Sequence, residues 1–593
     1  MQAILCSPNS SAYILLLLYV ACFVLLLTPG ILASIPLLRK KQLDPAYVPL
    51  FAFGVAALCG YLFFWVFLLN HVAGKLLSFG AVIVLLIVYL DPFLRKVIVS
   101  ILSSRDVFIP IVLTFVIGIF YTSVAYIGYF DSNSCAHENF FFIRDRLTPY
   151  SPDYLIQRIW VDKLFANASP WNIVLDPDMA RTTVGDRPPV MGGIALIFFT
   201  WIPRALDHFY FMVITTIAST SWIAAIWVVC REAKLSAARS ILLVVTLSQT
   251  FYFYFSSVFT WPKALSGSLF IGAFVLLALR PRLSSQRAPT RQFILGSVFA
   301  GLSFLTHNST MLLLLPMGLL LLSPKLFPGI RTVILGAFTF ALITFPYVAV
   351  KSINEPSVSN LTKYTLTVPE SAPVEPEENK HLSTLEAVKR AYSAISFREV
   401  VDNKLHNISS IFNAGCFGKC NGISTKKSNW DSELMPIAGS MKFFNIGWFL
   451  LLLPWAMVSL QPAETSQWAV PPAANLPRLK QASAACAWVA SLGLLIYALA
   501  SFRQEVNNIL SSGFMMLLFL AAGLRLFALH HEFIGVFLFS QAVYFHWITI
   551  QVVIEDHLKL VPAMVFVYVI FLFSLVVLPF WFLRSHGKPA LHT

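Results

Sequence analysis

Charge is what this sequence has least of. Of its 593 residues only 12% are Asp, Glu, Lys or Arg, and 28 of those are acidic. A soluble chain of this length needs far more charge to cover its surface, so a single large soluble domain is excluded. Cysteine is sparse as well. The eight cysteines give little framework: Cys22, Cys59 and Cys486 fall inside apolar runs and read as packing residues. An internal repeat is also lacking, which argues against transporter folds built from two related halves. A cleavable leader is not expected either. The first apolar run, Ala12–Leu37, is too long for one, no basic residue precedes it, and Arg39-Lys40-Lys41 follows it as a stop-transfer signal would.

What the chain does have is apolar residues, 58% of the total. They come in runs of roughly 18–25 residues, the length that crosses a bilayer core; Ala12–Leu37, Ser240–Phe259 and Val561–Leu583 are examples. The expectation is an all-α polytopic membrane protein of about 15 transmembrane helices. Four lie near 12–37, 46–69, 76–94 and 107–129, six between about 208 and 350, and five near 442–460, 483–502, 507–528, 533–553 and 560–583. The apolar piece Gly192–Trp201 is too short to span and ends at Pro203, so it reads as re-entrant or interfacial. The net charge of +14 is no nucleic-acid signal, because the basic residues sit beside helix ends. Arg39/Lys40/Lys41, Arg95/Lys96/Arg105, Arg231/Lys234/Arg239, Arg280/Arg282/Arg287/Arg291, Lys325/Arg331 and Arg584/Lys588 fall in alternate loops. If those loops are cytoplasmic, the N-terminus is outside and the C-terminus inside.

Two of the remaining, outward loops are long, Phe130–Val190 and Ser352–Met441. The chain therefore divides into 1–129, four helices; 130–190, a first outer loop; 191–351, central helices; 352–441, a second outer loop; and 442–593, closing helices. Each long loop carries an amphipathic helix. In the first, Ser151-Pro152-Asp153 reads as N-cap, N1 proline and acidic first turn. The following helix puts Leu155, Ile156, Ile159, Trp160 and Leu164 on one face, with Gln157, Arg158, Asp162 and Lys163 on the other. In the second, Ser383-Thr384-Leu385-Glu386 fits a capping box, and Leu385, Val388, Tyr392 and Ile395 follow at helical spacing. Such helices either pack on the bundle or wall a cavity open to the bilayer. Val368–Lys380, rich in Pro and Glu, reads as a surface strand. Cys416 and Cys420 (CFGKC) lie in the second loop and read as a small disulfide or as two ligands of a metal site, the disulfide being favoured because no nearby His/Cys pair completes a metal set. Asn9, Asn167, Asn308, Asn360 and Asn407 head Asn-x-Ser/Thr triplets, all outside on this topology.

Ionisable residues accumulate at the outer level, where they are costly and tend to have a job or a partner. Asp131 follows directly on the fourth helix; His137, Glu138, Arg144, Asp145 and Arg146 come next, and Gly185-Asp186-Arg187-Pro188-Pro189 closes the loop. Lys263 stands in Thr260-Trp261-Pro262-Lys263, His307 ends a helix, and Glu555, Asp556, His557 and Lys559 precede the last one. A carboxylate can take the proton of a sugar hydroxyl as it attacks an anomeric carbon. Basic groups can hold the departing phosphate. Each single charge has an ordinary alternative as an interface anchor; His307 can be satisfied by packing, and Asp207 by the helix dipole.

In plan, residues 107–350 resemble the GT-C class of membrane glycosyltransferases, which use polyprenyl-phosphate sugars. The resemblance rests on an acidic residue, Asp131, next to the end of a helix early in the first long outer loop, on the amphipathic helix Ser151–Phe165, and on the GDRPP and WPK stretches. Three extra helices precede that region, and no Asp-Asp or Asp-Glu doublet opens the loop, which leaves the base open between Asp131, Glu138 and Asp145. The resemblance implies sugar transfer, of inverting type, from a polyprenyl-phosphate donor to a glycan or lipid acceptor. Lys263, Arg187, His557 and Lys559 are then the candidates for the donor phosphate. No cofactor is established, and a divalent metal stays open, with His137, Glu138 and Asp145 as potential ligands. The expected setting is a bacterial cytoplasmic membrane with the site facing outward. Two other functions compete: a surface-polysaccharide polymerase or ligase leaning on Arg144, Arg146, Arg187 and His137, and a lipid-linked glycan transporter or flippase.

Overall fold

The structure, a computed structural model, describes residues 8–126, 128–129, 153–171, 173, 183–259, 261–324, 326–355, 361–369, 382–412, 475–503, 513–529, 559–571 and 573–574. The chain is a helical, polytopic membrane protein. Eight described helices are long and apolar enough to cross a membrane, or nine if Ala237–Ser248 and Tyr252–Val258, bent by 74°, form one span. The count of about 15 reaches beyond these; of the expected spans, those near 442–460 and 533–553 lie outside the described residues.

The first part of the chain runs α1 (Pro8–Arg39), α2 (Val48–Leu69), α3 (His71–Leu90), α4 (Pro92–Leu102) and α5 (Arg105–Ala125). Local signals set the breaks. Asn70 Oδ1 accepts from Val72 N (3.0 Å) and Ala73 N (3.1 Å), and Asp91 Oδ1 accepts from Phe93 N (2.7 Å) ahead of an N1 proline, so each caps the next helix. Next come α6 (Asp153–Phe165) and α7 (Val190–Phe199). The ten-residue α7 is buried along nearly its whole length rather than lying at an interface. It reaches the interior because two glycines let it cross α2 closely: a Cβ on Gly193 would lie 2.0 Å from the Gly60 carbonyl oxygen.

The centre is built by α8 (Asp207–Ser219), α9 (Trp222–Glu232), α10 (Ala237–Ser248), α11 (Phe251–Val258), α12 (Lys263–Phe274), a π-helical stretch Val275–Leu279, α13 (Arg280–Ser284), α14 (Thr290–Thr306), α15 (Met311–Leu321) and α16 (Ile330–Asn354). The most apolar 18-residue stretch is 100% buried in the span Phe209–Glu232 and 94% in Lys263–Ser284 but only 17% in Ile330–Asn354, which puts α16 at the periphery of the described bundle. Paired serines fix α12 against α14: Ser303 Oγ donates to Ser266 O (2.7 Å), and Ser266 Oγ to Ser303 O (2.9 Å).

Beyond α16 the structure describes α17 (Leu361–Thr367), α18 (Thr384–Ser393), α19 (Phe397–Phe412), α20 (Leu476–Ala500), α21 (Phe514–Leu529) and α22 (Pro562–Phe571). The capping box at α18 is present: Glu386 N donates to Ser383 Oγ (3.3 Å) and Ser383 N to Glu386 Oε2 (2.9 Å). Leu385, however, is exposed. Asn407 does not behave as a glycosylation acceptor would. It is fully buried, and its Nδ2 donates to Ala498 O and Ser501 O, both at 2.9 Å, which docks α19 on the end of α20. A two-stranded antiparallel pair joins β1 (Gly128–Tyr129) to β2 (Lys559–Leu560).

Ion pairs gather at one end of the bundle: Arg231 Nε to Asp106 Oδ1 (3.0 Å) and Arg280 Nε to Glu232 Oε1 (3.8 Å), with Tyr47 OH donating to Glu232 (2.7 Å). A cavity of about 540 Å³ opens there between Lys41, Asp44, Ser104 and Arg280. Lys263 begins the span that ends near Arg280. The two are separated by roughly 25 Å of helix, close to the ~30 Å of a hydrocarbon core.

Candidate functional site

At the opposite end from those ion pairs, three basic side chains from three elements are buried: Arg187 (7% exposed), Lys263 (3%) and His307 (5%). Lys263 is the first residue of α12, immediately after Trp261-Pro262, and its Nζ lies 3.4 Å from the centre of the Trp261 ring. His307 is the C-cap of α14. Ser266, one turn into α12, donates to His307 O (3.3 Å), so the start of α12 and the end of α14 lie side by side. Burial holds the His307 imidazole well below its ordinary range, and the charges of Lys263 and then Arg187 push it further the same way. Both cations therefore act on one neutral ring.

The tautomer of that ring follows from its neighbours. Ser309 N–H donates to His307 Nδ1 (3.3 Å), and the Ser309 hydroxyl lies 2.6 Å from the same atom. With Nδ1 accepting, the ring proton is assigned to Nε2. Nε2 is buried and has no hydrogen-bond partner among the described residues. Guanidinium, ammonium and imidazole N–H groups each donate well to oxyanions.

Arg187 is delivered by a strap, Thr183–Pro189, held from two sides. From α6, Trp160 Nε1 donates to Arg187 O (3.1 Å), and Gln157 Nε2 to Pro188 O (3.1 Å) while its Oε1 accepts from Gly192 N (2.9 Å). Ile156, Trp160 and Leu164 are buried as the amphipathic pattern requires, but Gln157 is fully buried too, not on the polar face. An amide with both ends satisfied can be buried at little cost. Arg158 and Asp162 do face outward, and Arg158 also reaches Asp207 (3.2 Å), which gives that aspartate a partner besides the helix dipole. From α16, Lys351 Nζ meets Asp186 Oδ1 at 2.6 Å, Tyr347 OH donates to Gly185 O (2.8 Å), and Thr183 Oγ1 donates to Glu355 Oε2 (3.0 Å).

Two solved chains are similar to this one. One is ArnT from Cupriavidus metallidurans bound to undecaprenyl phosphate, 14% identical over 72% of this chain and 78% of that one, with a TM-score of 0.30. The other is the same protein in the apo state, 12% identical over 71% and 77%, with a TM-score of 0.28. TM-scores this low bear on neither fold nor activity. No family model matches the chain, and neither does any curated protein.

The expected site residues are distributed as follows. Arg187 and Lys263 are buried at the same end as His307, to which the sequence assigned only packing, and the charges of both act on its ring. Lys559 is placed by its backbone alone, paired with Tyr129 two residues before Asp131, so the chain entering the first long loop runs beside the start of the last helix. Asp131, Glu138, Asp145 and His557 lie outside the described residues, as do Cys416 and Cys420. Among the described residues no group of three or more His, Cys, Asp or Glu is gathered as for a metal ion.

Proposed function

We propose that this chain is a GT-C-type membrane glycosyltransferase that moves a sugar from a polyprenyl-phosphate donor to a glycan or lipid acceptor at the outer leaflet. The observation that carries this reading is the burial of Arg187, Lys263 and His307 at one end of the bundle, with both cations acting on the His307 ring. Buried guanidinium, ammonium and imidazole N–H groups are the chemistry that holds an anionic headgroup. A lipid phosphate suits it, because the tail stays in the bilayer while the headgroup meets the basic cluster. The GT-C resemblance of residues 107–350 gives the anion its chemistry.

In the reaction, a carboxylate of the first long loop (Asp131, Glu138 or Asp145) takes the proton from the acceptor hydroxyl. That oxygen bonds to the anomeric carbon as the bond to the phosphate oxygen breaks, inverting the centre. The polyprenyl phosphate leaves with the negative charge that Arg187 and Lys263 neutralise and to which His307 Nε2–H donates. Lys559 and His557, close in sequence, are further candidates for that phosphate.

The test is transfer from a polyprenyl-phosphate sugar by purified full-length protein. Arg187→Met and Lys263→Met are each expected to lower kcat/KM by about two orders of magnitude, the range for removing one preorganised donor. One change among Asp131→Asn, Glu138→Gln and Asp145→Asn is expected to abolish turnover while donor binding remains. Full activity in all five folded variants rules the mechanism out.

A further inference from the structure

Two residues of α16 and its C-cap, spaced four apart, all face the strap that carries Arg187: Tyr347, Lys351 and Glu355. Their contacts follow the strap in order. Glu355 takes the Thr183 hydroxyl, Lys351 takes the Asp186 carboxylate, and Tyr347 donates to Gly185 O and, at 3.4 Å, approaches Arg187 O. Asp186 uses its second oxygen to accept from Thr183 N (3.1 Å), so the ion pair with Lys351 and the turn at Thr183–Asp186 share one carboxylate. The Glu355 carboxylate also lies over Gly185, where an added Cβ would sit 2.2 Å from Oε2 and push that side chain aside. Asp186 and Glu355 are 3% and 7% exposed, far more buried than an anchor at a wet interface. The Arg187 carbonyl is held on its other side by Trp160. The backbone on either side of Arg187 is thereby fastened, which limits where its guanidinium can point.

We propose that Lys351, with Tyr347 and Glu355, is a positioning residue that keeps the Arg187 guanidinium against Lys263 and His307 for a lipid-linked phosphate. This rests on the reading of those three basic residues as a phosphate site. Lys351 spends its charge on Asp186 and acts through Arg187.

The experiment measures Kd for undecaprenyl phosphate and for the neutral alcohol undecaprenol on the full chain in nanodiscs. Lys351→Met is expected to weaken undecaprenyl phosphate about tenfold, the worth of one charge-assisted contact, and to leave undecaprenol unchanged. Lys351→Arg restores binding. Lys351→Met added to Arg187→Met causes no further loss, because the first acts through the second. Tyr347→Phe, which removes one hydroxyl and preserves packing, weakens only the phosphate, by about threefold, and decides the matter if Lys351→Met does not fold. Equal weakening of both lipids, or additive losses in the double variant, overturns the proposal. So does unchanged binding in Lys351→Met and Tyr347→Phe while Arg187→Met binds poorly. Should Arg187→Met and Lys263→Met both bind undecaprenyl phosphate as the parent chain does, the phosphate-site reading fails instead.

Discussion

At the residue scale, His307 carries a consequence for pH. Its folded pKa is depressed, first by burial and then by Lys263 and Arg187, below the ordinary 6.5. The unfolded chain therefore takes up the proton first. The stability present above pH 6.5 is lost as pH falls from there toward the folded value. Thermal unfolding in detergent is expected to shift downward below about pH 6.5, and His307→Gln to flatten that slope. An anion beside the ring favours the protonated form, so added undecaprenyl phosphate should also reduce the loss. A slope unchanged in His307→Gln would place its origin elsewhere. Little of this was legible in the sequence. Lys263 and Arg187 could be singled out as costly charges at the outer level. Nothing in Thr306-His307-Asn308, however, reveals that two cations from distant segments stand beside the ring, because only the packing of α12 on α14 and the strap bring them there.

At the scale of elements, the short α7 shows how packing decides what hydropathy cannot. Its length excluded a span, and the apolar pattern was legible, but whether it lay in an interface or in the interior turned on Gly60 and Gly193. Gly193→Ala is expected to cost about 1–3 kcal/mol, as overpacking does, because the Gly60 backbone cannot move aside as a side chain could. Gly80→Ala is the control, with nothing within 4 Å of the added Cβ. Paired melting curves check this; equal midpoints would mean that the crossing is looser than described. The capping box at Ser383 and the buried Ile156, Trp160 and Leu164 of α6 were readable, since they are local; the cap expected at Ser151 lies outside the described residues. Gln157 was not readable, because its partners, Pro188 in the strap and Gly192 in α7, are brought to it by tertiary contacts. The role of Lys351 was hidden for the same reason: it closes a helix, and its partner Asp186 lies far away along the chain.

At the scale of the whole molecule, the two ends carry different chemistry. One carries the part-exposed pairs Arg231–Asp106 and Arg280–Glu232 and a cavity lined by Lys41; the other buries Arg187, Lys263 and His307. The alternation of basic loops predicts that the first end faces the cytoplasm. Single cysteines replacing Lys41 and Asn167 in a background lacking the native ones should then react with a membrane-impermeant maleimide from opposite sides in oriented vesicles. Labelling of Asn167→Cys from the cytoplasmic face would reverse the topology and with it the outer-leaflet assignment. The helical, membrane-spanning character of the chain was the most legible property of the sequence, because it depends on composition along the chain and not on contacts.

The peripheral helix α16 joins these scales. Ile334, Phe338, Leu342 and Phe345 are exposed along it, in position to meet acyl chains, while its far end grips the strap. Its other face packs along α14, where Gly301 meets Ile343 and Gly336 meets Phe293. Lipid contact and the hold on the strap therefore belong to one helix. Under the phosphate-site proposal, a bilayer thickness that tilts α16 is expected to change lipid-phosphate affinity, which Kd measured in nanodiscs of differing acyl length checks.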